Sequence, residues 1–435
     1  MNKLKVVISS PVDTYSGYGA RARDFIKAVL AKKEEWDVKL LSQRWGNTRF
    51  GYLDDHNESE LKSLVVNKIE AKPDIWIQIT VPNEFQPVGQ YNIGVTASIE
   101  TTICHASWVQ GVNRMNLVLT SSEHGKRVFE NSTFEVTDKQ GNKTGEVKLE
   151  KPVEVLFEGV DISKYKKVKL PTDNDLVKSL NGIKESFCFL IVGHWLQGSF
   201  GHDRKNIGMT IERFLSAFKH KQNKPALIIK TQSANSGILD RSAILKKIDE
   251  IRERVGGKNL PNIYLLHGEL SDTEINYLYN HPKVKVMTSL TKGEGFGRPL
   301  LEFAAVGKPI IASGWSGHTD FLRKDLNLLV GGSLDKVDQS AQIKDMILAE
   351  SKWFNADPDQ ALNSYKMMYK QYKKFAKLGL RQASVIKRNW SFDNMADKLD
   401  SIFDAYIPKF SRKVDFKLPP PTSIKLPSNK IKIKQ

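Results

Sequence analysis

The chain has 435 residues, 40% of them hydrophobic and 26% charged, and carries a net charge of +17 at pH 7. That length exceeds one ordinary core and predicts two domains, while no apolar run approaches the roughly 20 residues that span a bilayer. Cys104 and Cys188 lie far apart in apolar segments and read as buried thiols, which excludes a disulfide-built scaffold, and no Cys/His cluster has zinc-ligand spacing.

A cytoplasmic protein is expected, since the apolar run in "MNKLKVVISSPVD" suits a first strand better than a signal peptide. The excess of base favours a polyanionic partner, and part of it is local: from Lys409 onward there are eight bases against one acid.

In chain order, "LKVVISS" reads as a buried strand and "ARARDFIKAVLAKKEEW" as the helix after it. "DVKLLSQ", "PDIWIQIT", "YNIGVTAS" and "LVLTSS" are further strands, "FEVTDKQGNKTGEVKLE" is a hairpin insertion, and "PVEVLFEGVD" closes this half. The pattern restarts with "FCFLIVG", "PALIIKTQ", "NIYLLHG" and "VKVMTSL", each followed by a helical stretch, and "KPIIASG" is another strand. "SDTEINYLYNH" opens with a capping box from Ser271 to Glu274. Alternating α/β in two halves predicts two doubly wound parallel sheets, with ligands beyond the carboxyl ends of the strands. The expected boundaries are 1–170 and 183–390 for the two domains. A helix at 391–410 is expected to pack back on the first, followed by a poorly ordered Pro/Lys-rich tail at 411–435.

"KGEGFGRPLLEFAAVGKPII" carries the chemistry. A strand ends, a glycine-rich loop follows, and Pro299 suits the first helical position. The amides of Gly295, Phe296 and Gly297 then face out of a helix N-terminus, where a diphosphate fits. Glu294, beside that anion site, is placed to accept hydrogen bonds from sugar hydroxyls. Glu302, near the start of the helix, is placed to accept from a ribose. The two carboxylates are expected to hold opposite ends of one nucleotide sugar. Near the N-terminus, "SGYGARARDF" is a weak dinucleotide fingerprint. The second strand ends in Ser42 and Gln43 rather than an acid, which disfavours a nicotinamide enzyme. The triplets Asp173/Asp175 and Asp357/Asp359 do not follow apolar strands, sit where helix caps belong and are read as caps rather than metal ligands.

The spacing of Glu294 and Glu302 resembles the signature of retaining GT-B glycosyltransferases of family four. "VGHWLQGSFGHDRKNIGMTIERFLSAF", "VEVLFEGVDISKY" and "IETTICHASWVQGVNRMNLVLTSSEHGKRVFENS" are similar to further family segments in the same order. The resemblance spans roughly residues 1–405. It implies a GT-B fold, two Rossmann-like domains facing across a cleft. It also implies that Arg204 and Lys205 hold the donor diphosphate, and that the loop of Gly17, Tyr18 and Gly19 faces the donor sugar. Arg298 stands where the family often has Leu. No covalent nucleophile is implied, because the departing diphosphate takes the acceptor's proton. A nucleoside-diphosphate sugar, UDP-linked, is the expected co-substrate, with no cofactor and no metal. Acid–base candidates in the first half are Glu100, His105, Asp13 and His124, with Glu100 and His105 preferred; a lone histidine is more often structural.

"SSPVDTYSGYGARARDF", "QRWGNTRFGYLDDHNE" and "VPNEFQPVGQYNIGVTASIETT" look like a bacteriophage branch of these enzymes that glycosylates hydroxymethylated pyrimidines in DNA. That resemblance implies double-stranded DNA as acceptor. Arg44, Trp45 and Arg49 would then meet phosphates and an extruded base, although an ordinary covering loop explains them equally. The alternatives are transfer to a cell-envelope glycan or glycolipid, and a non-catalytic sugar- or DNA-binding protein.

Overall fold

The computed structural model describes residues 3–195, 197–232, 237–257 and 259–410. The basic tail expected at 411–435 lies outside the described residues.

The first sheet is built from β1 (Leu4–Ser10), β2 (Trp36–Ser42), β3 (Ile75–Ile79), β4 (Tyr91–Thr96) and β5 (Leu117–Thr120). β6 (Phe134–Thr137) and β7 (Lys143–Val147) form the separate antiparallel hairpin read from the sequence, and β8 (Val153–Val155) completes the sheet. Its order is β2-β1-β3-β4-β5-β8, with every pairing parallel. β3 is buried at all five positions, as a strand covered on both faces must be, whereas β2 alternates as an edge does.

The second sheet contains β9 (Cys188–Val192), β10 (Ala226–Thr231), β11 (Ile263–His267), β12 (Val284–Ser289), β13 (Ile310–Ser313) and β14 (Leu328–Val330). Its order, β11-β10-β9-β12-β13-β14, reverses direction at β9. That switch opens a crevice at the carboxyl ends of β9 and β12. Both expected loops leave from there: Arg204 and Lys205 follow β9, and Glu294 follows β12.

The halves are joined twice. Val160 bridges to Ser391, with Val160 N donating to the Trp390 carbonyl (2.9 Å) and Phe392 N to the Val160 carbonyl (2.9 Å). The helix Phe392–Tyr406 then lies against the helix Gly17–Lys32, with Phe403 edge-on to Phe25 and close to Trp36. Asp397, Asp400 and Asp404 on that helix meet Lys32 and Lys33.

A further feature had no counterpart in the sequence reading. β15 (Gly332–Lys336) and β16 (Lys352–Ala356) form an antiparallel hairpin whose connecting segment reaches the first half. Met346 and Ile347 pack on the apolar cluster around Cys104 and Trp108, and Thr102 N donates to the Lys352 carbonyl (2.9 Å).

Both cysteines are buried and free. The Ser271–Glu274 capping box is present. Asp357 caps its helix as read, but at the other triplet the cap is Asn174 between the two aspartates, because its side chain is the one that accepts from Val177 N. Among the described residues no helix is long and apolar enough to cross a membrane.

Candidate active site

Glu294 sits in the loop between β12 and the helix Arg298–Val306. The helix starts one residue earlier than the proline suggested, with Gly297 as N-cap at φ 101°, a conformation costly for any other residue. Phe296 turns inward and packs on Phe321 and Trp390. Of the expected donor contacts in this loop, Phe296 can therefore offer only its backbone. Its ring is the apolar anchor of the turn.

Lys205 Nζ lies 2.7 Å from each oxygen of Glu294, and Arg204 Nη1 lies 3.5 Å from the same carboxylate. Arg204 also reaches Glu100 Oε1 (3.0 Å) and the Gly293 carbonyl (3.0 Å). Glu100 comes from the loop after β4, so the cluster closes across the two halves. Burial by itself would raise the Glu294 carboxyl, yet Lys205 and Arg204 outweigh it and hold it down at about 2. Burial pushes the Lys205 ammonium down, with Glu294 opposing. Of the two expected catalytic residues in the first half, Glu100 is thus in the cluster.

His105 is not. It is the N-cap of the helix Ala106–Asn113, its Nδ1 accepting from Ser107 N (3.2 Å), and its Nε2 faces Asp345 of the inserted hairpin (3.7 Å). The sequence pattern concealed this because a histidine seldom caps a helix. The other two candidates are also held by protein contacts away from the cluster. Asp13 Oδ1 accepts from Leu53 N (2.7 Å). His124 is buried against the Ile99 carbonyl and edge-on to Trp315, and burial pushes its imidazole down to about 4.

The glycines allow the close approach. A Cβ at Gly293 would lie 2.2 Å from the Glu100 carbonyl oxygen, and one at Gly295 would lie 2.8 Å from that of Ala97. Ser121 Oγ, from the loop after β5, adds a bond to the Gly295 carbonyl (3.3 Å). In the N-terminal loop the roles divide. Gly17 has open space around it and lines the interdomain cavity. Gly19 is a packing glycine, since a Cβ there would strike the Thr14 carbonyl at 2.3 Å, and its amide caps onto Ser16. Tyr18 is held by Thr96 and the Ala97 amide, and Trp45 stacks on it at 4.0 Å. Arg44 and Arg49 are exposed; Arg49 lies over the Tyr15 ring and pairs with Asp55 (2.5 Å) and Glu269 (3.6 Å).

Glu302 faces a different space from Glu294. It lines a cavity of about 690 Å³ between the halves, together with Gly17, Asp24, Glu158, Tyr165 and Arg298. Arg298 fills the centre of an acidic group: its guanidinium is 2.6 Å from Asp24, 3.3 Å from Glu158 and 3.8 Å from Glu302. Sequence reasoning noted this arginine as a departure from the family but passed over both of its partners in the first half, Asp24 and Glu158. Each of the two carboxylates expected to hold the ends of one nucleotide sugar is engaged by protein cations, Glu294 by Lys205 and Arg204 and Glu302 by Arg298. Burial raises the Glu302 carboxyl to about 7, against the lowering by Arg298 and reinforced by Asp272 and Asp24. A carboxyl raised in the folded state lowers stability as pH climbs from its unfolded value of 4.5 towards 7. Glu302→Gln is therefore expected to flatten the decline of the unfolding midpoint over that window. An unchanged pH profile would show that Glu302 is not the group responsible.

Three backbone outliers surround the Glu294 loop. Ser98, Asn206 and Ser316 all have positive φ, at 62°, 52° and 78°. Asn206 is in the left-handed region that asparagine adopts readily, whereas Ser316, at ψ −166°, is in a region strained for a residue with a Cβ.

Residues 211–365 match the family described as glycosyl transferases group 1, a span that holds Glu294 and Glu302 but stops short of Arg204 and Lys205. Among curated proteins no sequence relative matches. The fold is similar to that of the Anabaena protein HepE solved with UDP and glucose, with a TM-score of 0.62 at 12% identity over 92% of this chain and 100% of that one. It is also similar to a glycosyltransferase from Rickettsia africae, with a TM-score of 0.59 at 14% identity over 93% and 99%. A third similar structure is sucrose-phosphate synthase from Thermosynechococcus elongatus, with a TM-score of 0.60 at 12% identity over 93% and 99%. The chain has the GT-B fold, and its residues 211–365 match the family of glycosyl transferases group 1.

Proposed function

We propose that the protein moves a sugar from a UDP-linked donor to an acceptor hydroxyl, with retention at the anomeric carbon. The observation that carries this reading is the buried meeting of Arg204, Lys205 and Glu294 beside a helix N-terminus. A diphosphate arriving there supplies the two cations with phosphate oxygens in place of the carboxylate. The amide end of the helix adds favourable potential. Glu294, released from Lys205, accepts from sugar hydroxyls and offsets the positive charge that develops on the sugar. The bond from the anomeric carbon to the diphosphate breaks as the bond to the acceptor oxygen forms on the same face. The acceptor's proton passes to the departing phosphate oxygen, so no covalent intermediate is needed. HepE has been solved with UDP-glucose as well as with UDP, which supports a UDP-linked donor here.

The acceptor group is assigned to the 690 Å³ cavity. Seven carboxylates and four cations line it, so it repels phosphate and suits a neutral, hydroxyl-bearing group. A hydroxymethylated pyrimidine extruded from DNA meets that requirement if its backbone stays outside, and the net charge of +17 over the whole chain favours a polyanion. Arg44 is exposed and lies over the Phe50 ring, where it can meet phosphate, whereas Arg49 must first leave Asp55 and Glu269, and Trp45 must leave Tyr18. A glycan acceptor is the second reading, favoured by the same carboxylates, which match sugar hydroxyls.

The test is release of nucleoside diphosphate from a panel of nucleotide sugars, with hydroxymethylcytosine DNA, unmodified DNA, an oligosaccharide, or no acceptor. Release stimulated only by the modified DNA supports the first acceptor, and release stimulated by the oligosaccharide supports the second. Absence of release with every donor overturns the donor assignment.

A further inference from the structure

Ser316 lies in the loop after β13, with φ 78° and ψ −166°. That region is open to glycine and strained for a residue with a Cβ. The chain nevertheless carries serine there, in a stretch where glycines are otherwise used freely: Gly314 and Gly317 flank it. Ser316 is buried, and its Oγ accepts a hydrogen bond from the backbone amide of Glu294 (2.9 Å).

The surroundings hold the strained residue in place. On one side Trp315 is edge-on to His124 of the first half at 4.6 Å. On the other, Thr319 N and Oγ1 both donate to the Ser316 carbonyl (3.0 and 2.7 Å), and His318 Nε2 lies 2.7 Å from the Ser313 carbonyl. Gly317 N donates to the Glu294 carbonyl (3.0 Å), and a Cβ at Gly317 would strike the Gly295 carbonyl at 2.2 Å. Glu294 is therefore gripped at both its amide and its carbonyl by consecutive residues of one loop. Any relaxation of Ser316 to an ordinary conformation moves that grip.

We propose that Ser316 is a positioning residue that fixes the backbone of Glu294, so that its carboxylate meets Lys205 in the resting site and the donor sugar during transfer. The strain is retained because the side-chain oxygen at this point bonds the Glu294 amide. Glycine would sit there without strain and leave that amide unmet. The consequence for transfer rests on the glycosyltransferase reading above; the effect on the loop does not.

Ser316→Gly removes strain and hydroxyl together, and Ser316→Ala removes the hydroxyl alone. Hydrogen exchange over residues 291–297 is expected to speed up in both variants. The unfolding midpoint is expected to fall in Ser316→Ala and to stay close to wild type in Ser316→Gly. Nucleoside-diphosphate release by Ser316→Gly is expected to lose about tenfold or more in kcat, with a smaller change in KM, because the misplaced group acts in the transition state. Unchanged exchange in both variants, or wild-type kcat in Ser316→Gly, would overturn the proposal. A wild-type protein that releases nothing from any donor would sink the functional reading, while the exchange comparison would still decide the positioning role.

Discussion

Glu294→Gln is expected to bind UDP at least as tightly as the wild type while losing transfer by a factor of about 100 or more. The two effects have one cause. Lys205 holds both oxygens of Glu294 at 2.7 Å, and Arg204 stands 3.5 Å away, so a diphosphate must take these cations from the carboxylate. An amide at position 294 competes for them less well and leaves them readier for phosphate. The same amide cannot balance the charge that develops on the sugar. Without ligand the variant keeps two buried cations with Glu100 as their remaining carboxylate partner, and its unfolding midpoint should drop. UDP should raise that midpoint by more than it does in the wild type. The acid side gives an independent check. The Glu294 carboxyl is held down at about 2 from an ordinary value of 4.5. Its contribution to stability is present above about pH 4.5 and is lost as pH falls towards 2, and the variant should lack that limb. Calorimetry with UDP, initial rates and unfolding against pH read all three outcomes. Near-wild-type transfer would remove Glu294 from the mechanism.

The largest loss of stability is expected from Arg298→Leu. One guanidinium serves three carboxylates: Asp24 and Glu158 from the first half, and Glu302 one helical turn away. Burial disfavours the charged guanidinium, but the carboxylates more than compensate and hold its pKa well above the usual range. Leucine leaves three crowded acids with no cation in the middle. Breaking a buried pair in this way costs on the order of 3–5 kcal/mol. Denaturant unfolding at neutral pH measures the loss, and part of it should return as pH is lowered and the acids take up protons. Because two of the acids belong to one half and Arg298 to the other, the variant should also hold the halves less firmly in register and show a raised KM for donor. A variant as stable as wild type at pH 7 would mean that the arginine only balances a surface already solvated.

The physics of short range explains what could be read from the chain alone. Alternation of buried strands with amphipathic helices predicted two doubly wound sheets, and both are present with parallel pairing throughout. The glycine-rich loop at Glu294 was legible because a strand end, a turn and a helix start lie within about a dozen consecutive residues. The Lys205 and Arg204 loop was found through resemblance, and its charge alone would have passed for an ordinary helix start. The cap role of His105 was not legible because capping depends on which residue stands at the helix boundary, and histidine seldom takes that place.

Partnership and backbone strain were decided by the tertiary structure. Arg298 lies 274 positions from Asp24 and 140 from Glu158, and nothing local marks either acid as its partner. The hairpin of β15 and β16 shows no sign in its own sequence that it will reach Thr102 across the cleft. Ser316 reads as one more polar loop residue until its φ and its bond to the Glu294 amide are seen. A sequence states which groups are near along the chain and which faces are apolar. Which charges are buried together, and where the backbone is held against its preference, follow only when two sheets close on each other and exclude water between them.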